Sequence, residues 1–550
     1  MTAQASWTAK LQDFSGVWDA LARCRDRGMY IFDDNTREMV YRSYQDVFDG
    51  AGQLAATLAR LGVRRGDRVL LCAATQVNFP SLWLALVWLG ATCVPVPPRA
   101  ALVGQYTFRE RLRGIIHCFP FYLCDDDERA EVLEIAAETA ASTRIVAFSE
   151  LYRNSATPLP LPERVSPDVK DIAFVQFTSG STKAPKGILI TYSNLFAGVH
   201  AIWSRLRTEP DTERGISWLP LYHDMGLVGF LGCLLTQTEL VMMSPQAFAK
   251  RPLNLLSLIG EYRTSMCSMP NFALEWILRR LSASPNHQYS LDSMKWIGVG
   301  AEPVNPATLD RFERALRAHG LREGVLSPCY GLAEATLGVS IAALGEGYDL
   351  FEHAGRSYPT AGRLLTGMEV RLAPQEGNSA FGRILIRGES VARQALVGGE
   401  VVDLLDEDGY YDTKDIGTVA GPHLVVLGRA DEMFIVNGEN YFPNDIESVV
   451  RTVAGVMRNR VACFYIERGP QHTGEIVILY ESRPLSLDDE DSLTSEIERQ
   501  VRSHLGLSAV TIRGVPPKTI PVTPSGKIQR LRARQLYLEG FYHASKTECV

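Results

Sequence analysis

The sequence has no excess of basic residues. Its 550 residues include 56 Lys and Arg against 63 Asp and Glu, which gives a formal net charge of −7. A nucleic-acid-binding protein normally needs a clustered basic surface, so we expect no nucleic-acid partner. Hydrophobic residues make up 46% and charged residues 22% of the chain, as in ordinary globular proteins. Because a single hydrophobic core stops growing near about 250–300 residues, the length predicts at least two domains.

Cysteine pairs and long apolar runs are also missing. No two of the ten cysteines are spaced as CxxC, which argues against a zinc ribbon or thioredoxin-like site and favours reduced thiols in a cytoplasmic protein. The first residues, MTAQASWTAK, lack the basic and then apolar pattern of a signal peptide. The longest apolar run, at residues 82–98, meets glycine and proline too soon for a membrane span of about 20 residues. We predict a buried helix followed by a strand there, and no membrane span.

Short β-branched runs alternate with longer segments that have helical spacing. Residues 67–74 and 143–149 predict strands, and residues 105–118 predict a helix. Such alternation indicates βαβ units, with parallel sheets flanked by helices. After residue 428, strand-like segments and a helix-like segment at 490–506 predict a smaller domain. The predicted fold class is α/β: a large N-terminal domain of parallel-type sheets flanked by helices plus a β-rich subdomain, with a small α+β C-terminal domain.

One loop, FTSGSTKAPKG at residues 177–187, is rich in glycine and hydroxyl residues. It follows a strand pattern and precedes a helix pattern, a placement typical of phosphate binding. Glycines let backbone N–H groups turn toward oxygens, hydroxyls add donors, and Lys186 adds a positive charge. The loop is not the P-loop pattern, because Gly187 follows the lysine instead of preceding it. A polar surface loop is the alternative interpretation.

Six further motifs follow the loop: WLPLYHDMGLVG at residue 218, GVGAEPV at 298, YGLAEATLG at 330, YDTKDIG at 411, GRADEMFIVNGENYFPNDIE at 428 and PVTPSGKIQR at 521. In this order, and over nearly the whole chain, the sequence resembles the adenylate-forming superfamily of acyl-CoA synthetases, luciferases and adenylation domains. The motifs at 218 and 330 look most like those of fatty acyl-AMP ligases. The resemblance implies two half-reactions: a carboxylate attacks ATP to give acyl-AMP and pyrophosphate, and a thiol then takes the acyl group.

The resemblance also implies roles for individual residues. Glu334 would bind Mg²⁺, with Thr178 as a possible second ligand, because Mg²⁺ prefers hard oxygen ligands. Asp415 would accept both ribose hydroxyls. The residues expected to bind ATP or AMP are Thr178, Ser179, Gly180, Ser181, Thr182, Lys186, Gly300, Ala301, Glu302, Tyr330, Gly331, Leu332, Ala333, Asp415 and Arg429.

The catalytic residues implied by the resemblance are Lys527 and His223. Lys527, presented by a turn at residues 524–526, would neutralise charge between the carboxylate and the α-phosphate. His223 would position the carboxylate or gate the acyl pocket. Asp431 matches a hinge, so the implied domains are 1–428, a hinge at 429–431, and a mobile lid at 432–550 that carries Lys527.

The resemblance is less specific at three places. Lys183 and Lys414 stand where the family usually has glycine, and we interpret Lys183 as a solvent-facing residue. The segment between Gly338 and Gly362 is short where fatty acyl-AMP ligases usually carry an insertion. We expect an apolar acid, fatty or otherwise, and a separate acyl carrier protein as the acceptor. The alternatives are free coenzyme A as the acceptor, or a non-catalytic adenylate-binding relative.

Overall fold

The computed structural model describes residues 14–542 apart from 35, 102–104, 156, 158, 179–184, 208, 210, 284–286, 354, 376–377, 437–438, 468–473, 508–509 and 524–526. The α-helices of this part of the chain are α1 (Phe14–Arg23), α2 (Tyr44–Arg60), α3 (Phe79–Trp88), α4 (Gln105–Arg113), α5 (Arg129–Glu138), α6 (Phe148–Ser155), α7 (Tyr192–Leu206), α8 (Asp224–Thr236), α9 (Pro245–Lys250), α10 (Leu253–Tyr262), α11 (Asn271–Ser282), α12 (Pro306–Arg317), α13 (Pro443–Val450), α14 (Leu487–Leu505) and α15 (Arg530–Leu538).

The strands of the first 350 residues alternate with these helices. They are β1 (Gly28–Asp33), β2 (Glu38–Ser43), β3 (Arg68–Cys72), β4 (Thr92–Val96), β5 (Phe121–Cys124), β6 (Arg144–Ala147), β7 (Ile172–Thr178), β8 (Lys186–Thr191), β9 (Arg214–Ser217), β10 (Glu239–Met242), β11 (Met266–Met269), β12 (Trp296–Val299), β13 (Leu326–Gly331) and β14 (Gly338–Ile341).

The later strands follow one another with few helices between them. They are β15 (Leu350–His353), β16 (Arg356–Pro359), β17 (Arg363–Leu364), β18 (Met368–Gln375), β19 (Asn378–Gly388), β20 (Gln394–Val397), β21 (Glu400–Asp403), β22 (Tyr411–Ala420), β23 (His423–Arg429), β24 (Phe434–Val436), β25 (Glu439–Tyr441), β26 (Val456–Glu467), β27 (Gly474–Ser482) and β28 (Val510–Val515).

The chain divides into two compact units. The first comprises Met1–Leu372, Leu385–Thr413 and Val419–Val425, and the second comprises Ala373–Ile384, Lys414–Thr418 and Val426–Val550. Strands β18, β19, β22 and β23 therefore contain residues of both units. The domain boundary at residue 428 and the hinge at 429–431 stay predictions.

An eight-stranded sheet of the first unit has the order β21-β20-β8-β7-β4-β3-β5-β6. The run from β7 to β6 is parallel, as the alternating sequence pattern predicts. All ten residues of α3 are buried, and so are all five of β4. The apolar run at residues 82–98 is therefore a core helix and strand, as predicted, because a helix that is apolar all round must be covered on every side.

A thirteen-stranded sheet has the order β18-β19-β22-β23-β17-β14-β13-β12-β11-β9-β10-β1-β2. Its run from β13 to β1 is parallel. Strands β9 to β13 and helices α9 to α12 share one apolar core, in which Phe248, Leu274, Ile277 and Phe312 are almost fully buried. The parallel strands end at one edge of the sheet, the edge at which α/β proteins bind ligands.

One sequence expectation, the order of elements around the phosphate-type loop, is wrong. The sequence predicts strand, loop and helix, but β8 lies between the loop and α7, and β7 pairs with β8 in antiparallel orientation. The run GILIT after Lys186 is apolar and β-branched, and such residues favour a strand. Helix α7 begins only at Tyr192, where Thr191 and Asn194 form a capping box. The loop therefore connects two strands, and no helix N-terminus follows it directly.

The second unit has its own core. Strands β26 and β27 are antiparallel, and β28 adds to β27 in parallel orientation. One face packs around Ile446, Val450 and Ile497, and the other around Val477, Leu479 and Ala533. The strands predicted near residues 461 and 475 and the helix predicted at 490–506 are confirmed as β26, β27 and α14. Among the described residues, no helix is long and apolar enough to span a membrane.

Candidate active site

Three side chains of the first unit meet at a buried carboxylate. The Nζ of Lys186 lies 3.1 Å from Oε1 of Glu334, and the hydroxyl of Tyr411 donates to the same oxygen at 2.8 Å. Lys186 also lies 3.4 Å from the Tyr411 hydroxyl and 5.2 Å from the centroid of its ring. Glu334 is only 8% exposed. The structure thus joins the predicted phosphate-binding lysine to the predicted magnesium ligand in one contact.

The two sheets of the first unit bring this cluster together. Lys186 begins β8 of the eight-stranded sheet, where it pairs with Thr178 at the end of β7. Glu334 lies in a short turn just after β13 of the thirteen-stranded sheet. Tyr411 begins β22. Its motif is one of those found in the sequence, but the resemblance implies no role for Tyr411 itself. Its place at the start of the YDTKDIG motif was the available signal, but its partner Glu334 lies 77 residues earlier.

Two groups of predicted nucleotide-binding residues, Gly300 to Glu302 and Tyr330 to Ala333, lie at or just after the ends of β12 and β13, which are parallel neighbours. A Cβ on Gly331 would lie 1.9 Å from the Leu337 carbonyl oxygen, so only glycine fits there. Ala301 has a left-handed φ of 66°. Glu302 accepts a 2.6 Å hydrogen bond from the backbone N–H of Phe272, in the first turn of α11. Its carboxylate therefore stabilises a helix N-terminus, a contact that the sequence did not indicate.

His223 lies directly before α8. Its Nδ1 is 2.6 Å from Oδ1 of Asp224, and both side chains are largely buried. The amide of Gln176, in β7, donates a 2.7 Å hydrogen bond to the Tyr222 carbonyl. This bond ties the histidine segment to the strand that leads into the phosphate-type loop. Because Nδ1 donates to Asp224, the Nε2 atom of a neutral His223 is left as the acceptor.

The second unit groups three of the predicted residues. The guanidinium of Arg429 lies 3.6 Å from Asp415 and 3.2 Å from Asp431. Burial acts to lower the pKa of Arg429, but the hydrogen bond to Asp431 and the charge of Asp415 raise it overall. The predicted ribose ligand and hinge residue are therefore held by one arginine.

Lys414 has a left-handed backbone, with φ of 63°. Its side chain is exposed, and its carbonyl accepts a 2.8 Å hydrogen bond from the N–H of Ala430. Glycine adopts this conformation at little steric cost, whereas lysine does not. This backbone conformation explains why glycine is expected at this position, a reason that the sequence does not indicate.

Lys527 pairs with Thr523 of the second unit through two hydrogen bonds. Its N–H donates to the Thr523 hydroxyl at 3.0 Å, and its carbonyl accepts from the Thr523 N–H at 2.7 Å. Residues 524–526, for which the sequence predicts a turn, lie outside the described residues. So do Lys183 and the predicted ATP ligands Ser179, Gly180, Ser181 and Thr182. The roles of these residues stay predictions.

The chemistry of Glu334 fits a magnesium ion held mainly by a nucleotide. Among the described residues, no group of three or more His, Cys, Asp or Glu side chains could hold a metal. Mg²⁺ commonly uses only one or two protein carboxylates, with phosphates and water completing its octahedron. The buried carboxylate of Glu334, beside a lysine and a tyrosine, meets that requirement. Thr178, the possible second ligand, is the last residue of β7.

A model of one protein family, described as AMP-binding enzyme, matches residues 17–394. The chain belongs to the AMP-binding enzyme family. This AMP-binding enzyme is 28% identical to a putative acyl-CoA synthetase of Caulobacter vibrioides, over 97% of each chain. It is 28% identical to the 4-hydroxyphenylalkanoate adenylyltransferase of Mycobacterium tuberculosis, over 86% of this chain and 82% of that one.

A solved structure from studies of the fatty acyl-adenylate ligases of E. coli and L. pneumophila is similar over 97% of this chain and 99% of that one, with a TM-score of 0.85 and 26% identity. The predicted family and the α/β fold are therefore confirmed. The AMP-binding enzyme is an adenylate-forming ligase, and ATP and Mg²⁺ are the cofactors of its reaction.

Replacement of Lys414 tests the backbone explanation. We expect Lys414→Gly to be more stable than Lys414→Ala by about 1 kcal/mol, because a left-handed residue with a Cβ costs roughly 1–2 kcal/mol and glycine returns part of this through its unfolded-state entropy. Both variants lack the lysine side chain, so each is the control for the other. Denaturant unfolding measures the difference, and equal stability of the two variants would contradict the left-handed assignment.

Proposed function

We propose that this adenylate-forming ligase activates an apolar carboxylic acid and passes the acyl group to the phosphopantetheine thiol of a separate acyl carrier protein. The observation that carries the adenylation site is the contact of Lys186, Tyr411 and Glu334. The contact places the positive charge of Lys186 beside the buried carboxylate of Glu334. A nucleoside triphosphate with a divalent cation requires both, the positive charge for its phosphates and the carboxylate for its metal.

In the first half-reaction, an oxygen of the acid attacks the α-phosphorus of ATP, and the bond to the β-phosphate oxygen breaks. Negative charge grows on the departing pyrophosphate, where Lys186 and the Thr178 hydroxyl would stabilise it. Glu334 would hold Mg²⁺, which supplies further positive charge to the phosphates when bound. Lys527 would neutralise the approaching carboxylate and the α-phosphate, since two anions repel each other without it.

Asp415 would accept both ribose hydroxyls of the nucleotide. Arg429 supports this role because it holds the Asp415 carboxylate from the side. We further propose that Asp431 is a hinge, about which the C-terminal domain 432–550 brings Lys527 into place for the first half-reaction and withdraws it for the second. In the second half-reaction, a thiol attacks the acyl carbonyl, its proton is lost, and AMP leaves. His223 would position the carboxylate, with its ring fixed by Asp224.

An apolar acid is supported by a cluster of aromatic side chains in the segment after β9 and in helices α9 and α11. Trp218 stacks on Phe248 with centroids 3.8 Å apart, and Phe272 and Trp276 pack against them edge-on or stacked. Phe272 and Trp276 of α11 are only partly buried, whereas Trp218 and Phe248 belong to the apolar core. A fatty or aryl-substituted acid suits such a surface, and a relative that adenylates 4-hydroxyphenylalkanoates is consistent with this class.

The acceptor has two candidates. Similarity to a fatty acyl-adenylate ligase structure along nearly the full length favours a carrier protein. The relative described as a putative acyl-CoA synthetase, matched over the same share of the chain, favours free coenzyme A. From Gly338 to Gly362, the strands that the described residues form are β14 and the short β15–β16 hairpin. A non-catalytic role is a separate alternative to catalysis with either acceptor. The presence of Glu334, Asp415, Arg429 and Lys527 opposes it.

Pyrophosphate release over a panel of carboxylic acids tests the proposed function. We expect release with fatty or arylalkanoic acids, and then faster acyl transfer to a holo acyl carrier protein than to coenzyme A. The apo carrier protein, which lacks the thiol, is the matched control. Faster transfer to coenzyme A would contradict the acceptor, and no acid-dependent release would contradict catalysis altogether.

Lys527→Ala separates the two half-reactions. We expect ATP–pyrophosphate exchange to fall by about 10²–10³-fold, the range for loss of one transition-state charge contact, while thioester formation from synthetic acyl-adenylate stays near the wild-type rate. Lys518→Ala, at an exposed lysine of the same unit, is the control and should keep both rates. An equal loss of both half-reactions in Lys527→Ala would contradict the role.

A further inference from the structure

The second unit contains a buried arginine that no step above uses. Arg530 begins α15, three residues after Lys527. Its Nε and one terminal nitrogen donate to the two carboxylate oxygens of Glu447 at 2.7 and 2.9 Å. Its other terminal nitrogen donates to Glu432 at 2.7 Å, and the side chain also contacts Asn444. One guanidinium thus joins three side chains from two other segments.

Glu447 pairs with both Arg530 and Arg451, so it does not balance the charge of Arg530 on its own. It is fully buried in α13, forms a two-pronged pair with Arg530, and accepts a 3.0 Å hydrogen bond from the N–H of Cys463. Such two-pronged pairs of arginine and carboxylate are the strong and directional ones. Glu432 therefore supplies the second carboxylate of this cluster, from a segment outside α13 and α15. Glu432 is 19% and Arg530 12% exposed, so solvent screens their pair only weakly.

Glu432 lies next to the predicted hinge residue. Asp431 is paired with Arg429, and Arg429 with Asp415. A sequence of ionic contacts and one peptide bond therefore runs from the predicted ribose ligand, through the hinge segment, to Arg530. From Arg530 the chain leads back through Gln529 and Ile528 to Lys527, in a turn closed by Thr523. The contact of Glu432 with Arg530 spans 98 residues of sequence.

We propose that Glu432 and Arg530 are positioning residues for Lys527. Their ion pair fixes the segment that carries Lys527 to the residue next to the predicted hinge, so that the ammonium of Lys527 takes one position when the lid brings it to the nucleotide for adenylation. This assignment rests on the proposed function, because it takes Lys527 as the adenylation lysine and Asp431 as the hinge.

A purely structural ion pair would behave differently. Its loss would loosen the whole second unit and lower both half-reactions together. A positioning pair acts through Lys527 alone, so its loss lowers adenylation and spares thioester formation. It also adds nothing once Lys527 is gone, because residues that act through one another are not additive.

Glu432→Ala and the milder Glu432→Gln test the assignment, because both leave the pair of Arg530 with Glu447 intact. We expect ATP–pyrophosphate exchange to fall by about 10- to 100-fold in Glu432→Ala, as for small misplacements of a reacting group. Glu432→Gln should fall less, since its amide oxygen still accepts a hydrogen bond. Thioester formation from synthetic acyl-adenylate should stay near wild type in both, and Glu432→Ala should not lower exchange further in a Lys527→Ala background.

Arg532→Met is the matched control, because Arg532 lies in the same helix, is exposed and donates a hydrogen bond to Gln535 of that helix. It should leave both half-reactions unchanged. Wild-type exchange in both Glu432 variants, with Lys527→Ala inactive, would overturn this assignment and leave the proposed function standing. An equal fall of both half-reactions would also overturn it, in favour of a structural pair. Absence of acid-dependent exchange in the wild type would overturn the proposed function, and this assignment with it.

Discussion

The contact between Lys186 and Glu334 is the constraint on which the first unit depends. It joins residues that lie 148 positions apart and belong to different sheets. A buried carboxylate needs a compensating charge or hydrogen bond, because desolvation of an isolated anion is very costly. Lys186 and Tyr411 supply that compensation. The strand order of both sheets therefore serves to place one cation and one anion within 3.1 Å at a common edge.

The second unit solves a different problem of charge. Acid and triphosphate are both anions, and adenylation needs a cation between them that thioester formation does not. A lysine on a separate compact unit would suit that requirement, because its proposed role belongs to one half-reaction only. The unit keeps its acidic and basic groups paired in two sets, Asp415 with Arg429 and Asp431, and Glu432 with Arg530 and Glu447. We infer that these sets act as a frame for Lys527.

Much of the fold could be predicted from local sequence. The apolar run at residues 82–98, the β-branched runs at β3 and β6, and the helix at residues 490–506 carry their periodicity in adjacent residues, and the order of seven motifs indicates the family. Strand β8 was missed because its six residues join a glycine-rich loop directly to a strong helix pattern. At that length, a strand cannot be told from a helix start by periodicity.

The candidate site could be predicted only as a set of separate motifs. The contacts between motifs depend on the tertiary fold. No residue near Tyr411 in sequence indicates its contact with Glu334, and none near Glu432 indicates its contact with Arg530. The left-handed φ of Lys414 could not be predicted either, because the Lys414 carbonyl accepts a hydrogen bond from Ala430, which lies just after β23. Gly331, by contrast, lies in a motif found in the sequence. The carbonyl of Leu337 explains why this position requires glycine.

The central claim is that Lys186 balances Glu334 until nucleotide and metal take over that charge. A crystal structure with Mg²⁺ and a non-hydrolysable ATP analogue tests it most directly. The expected result is that Lys186 Nζ has left Glu334 for a β- or γ-phosphate oxygen, while Glu334 ligates the ion and keeps its hydrogen bond from Tyr411. A nucleotide bound with Lys186 and Glu334 still paired, and with the ion on other residues, would contradict the account.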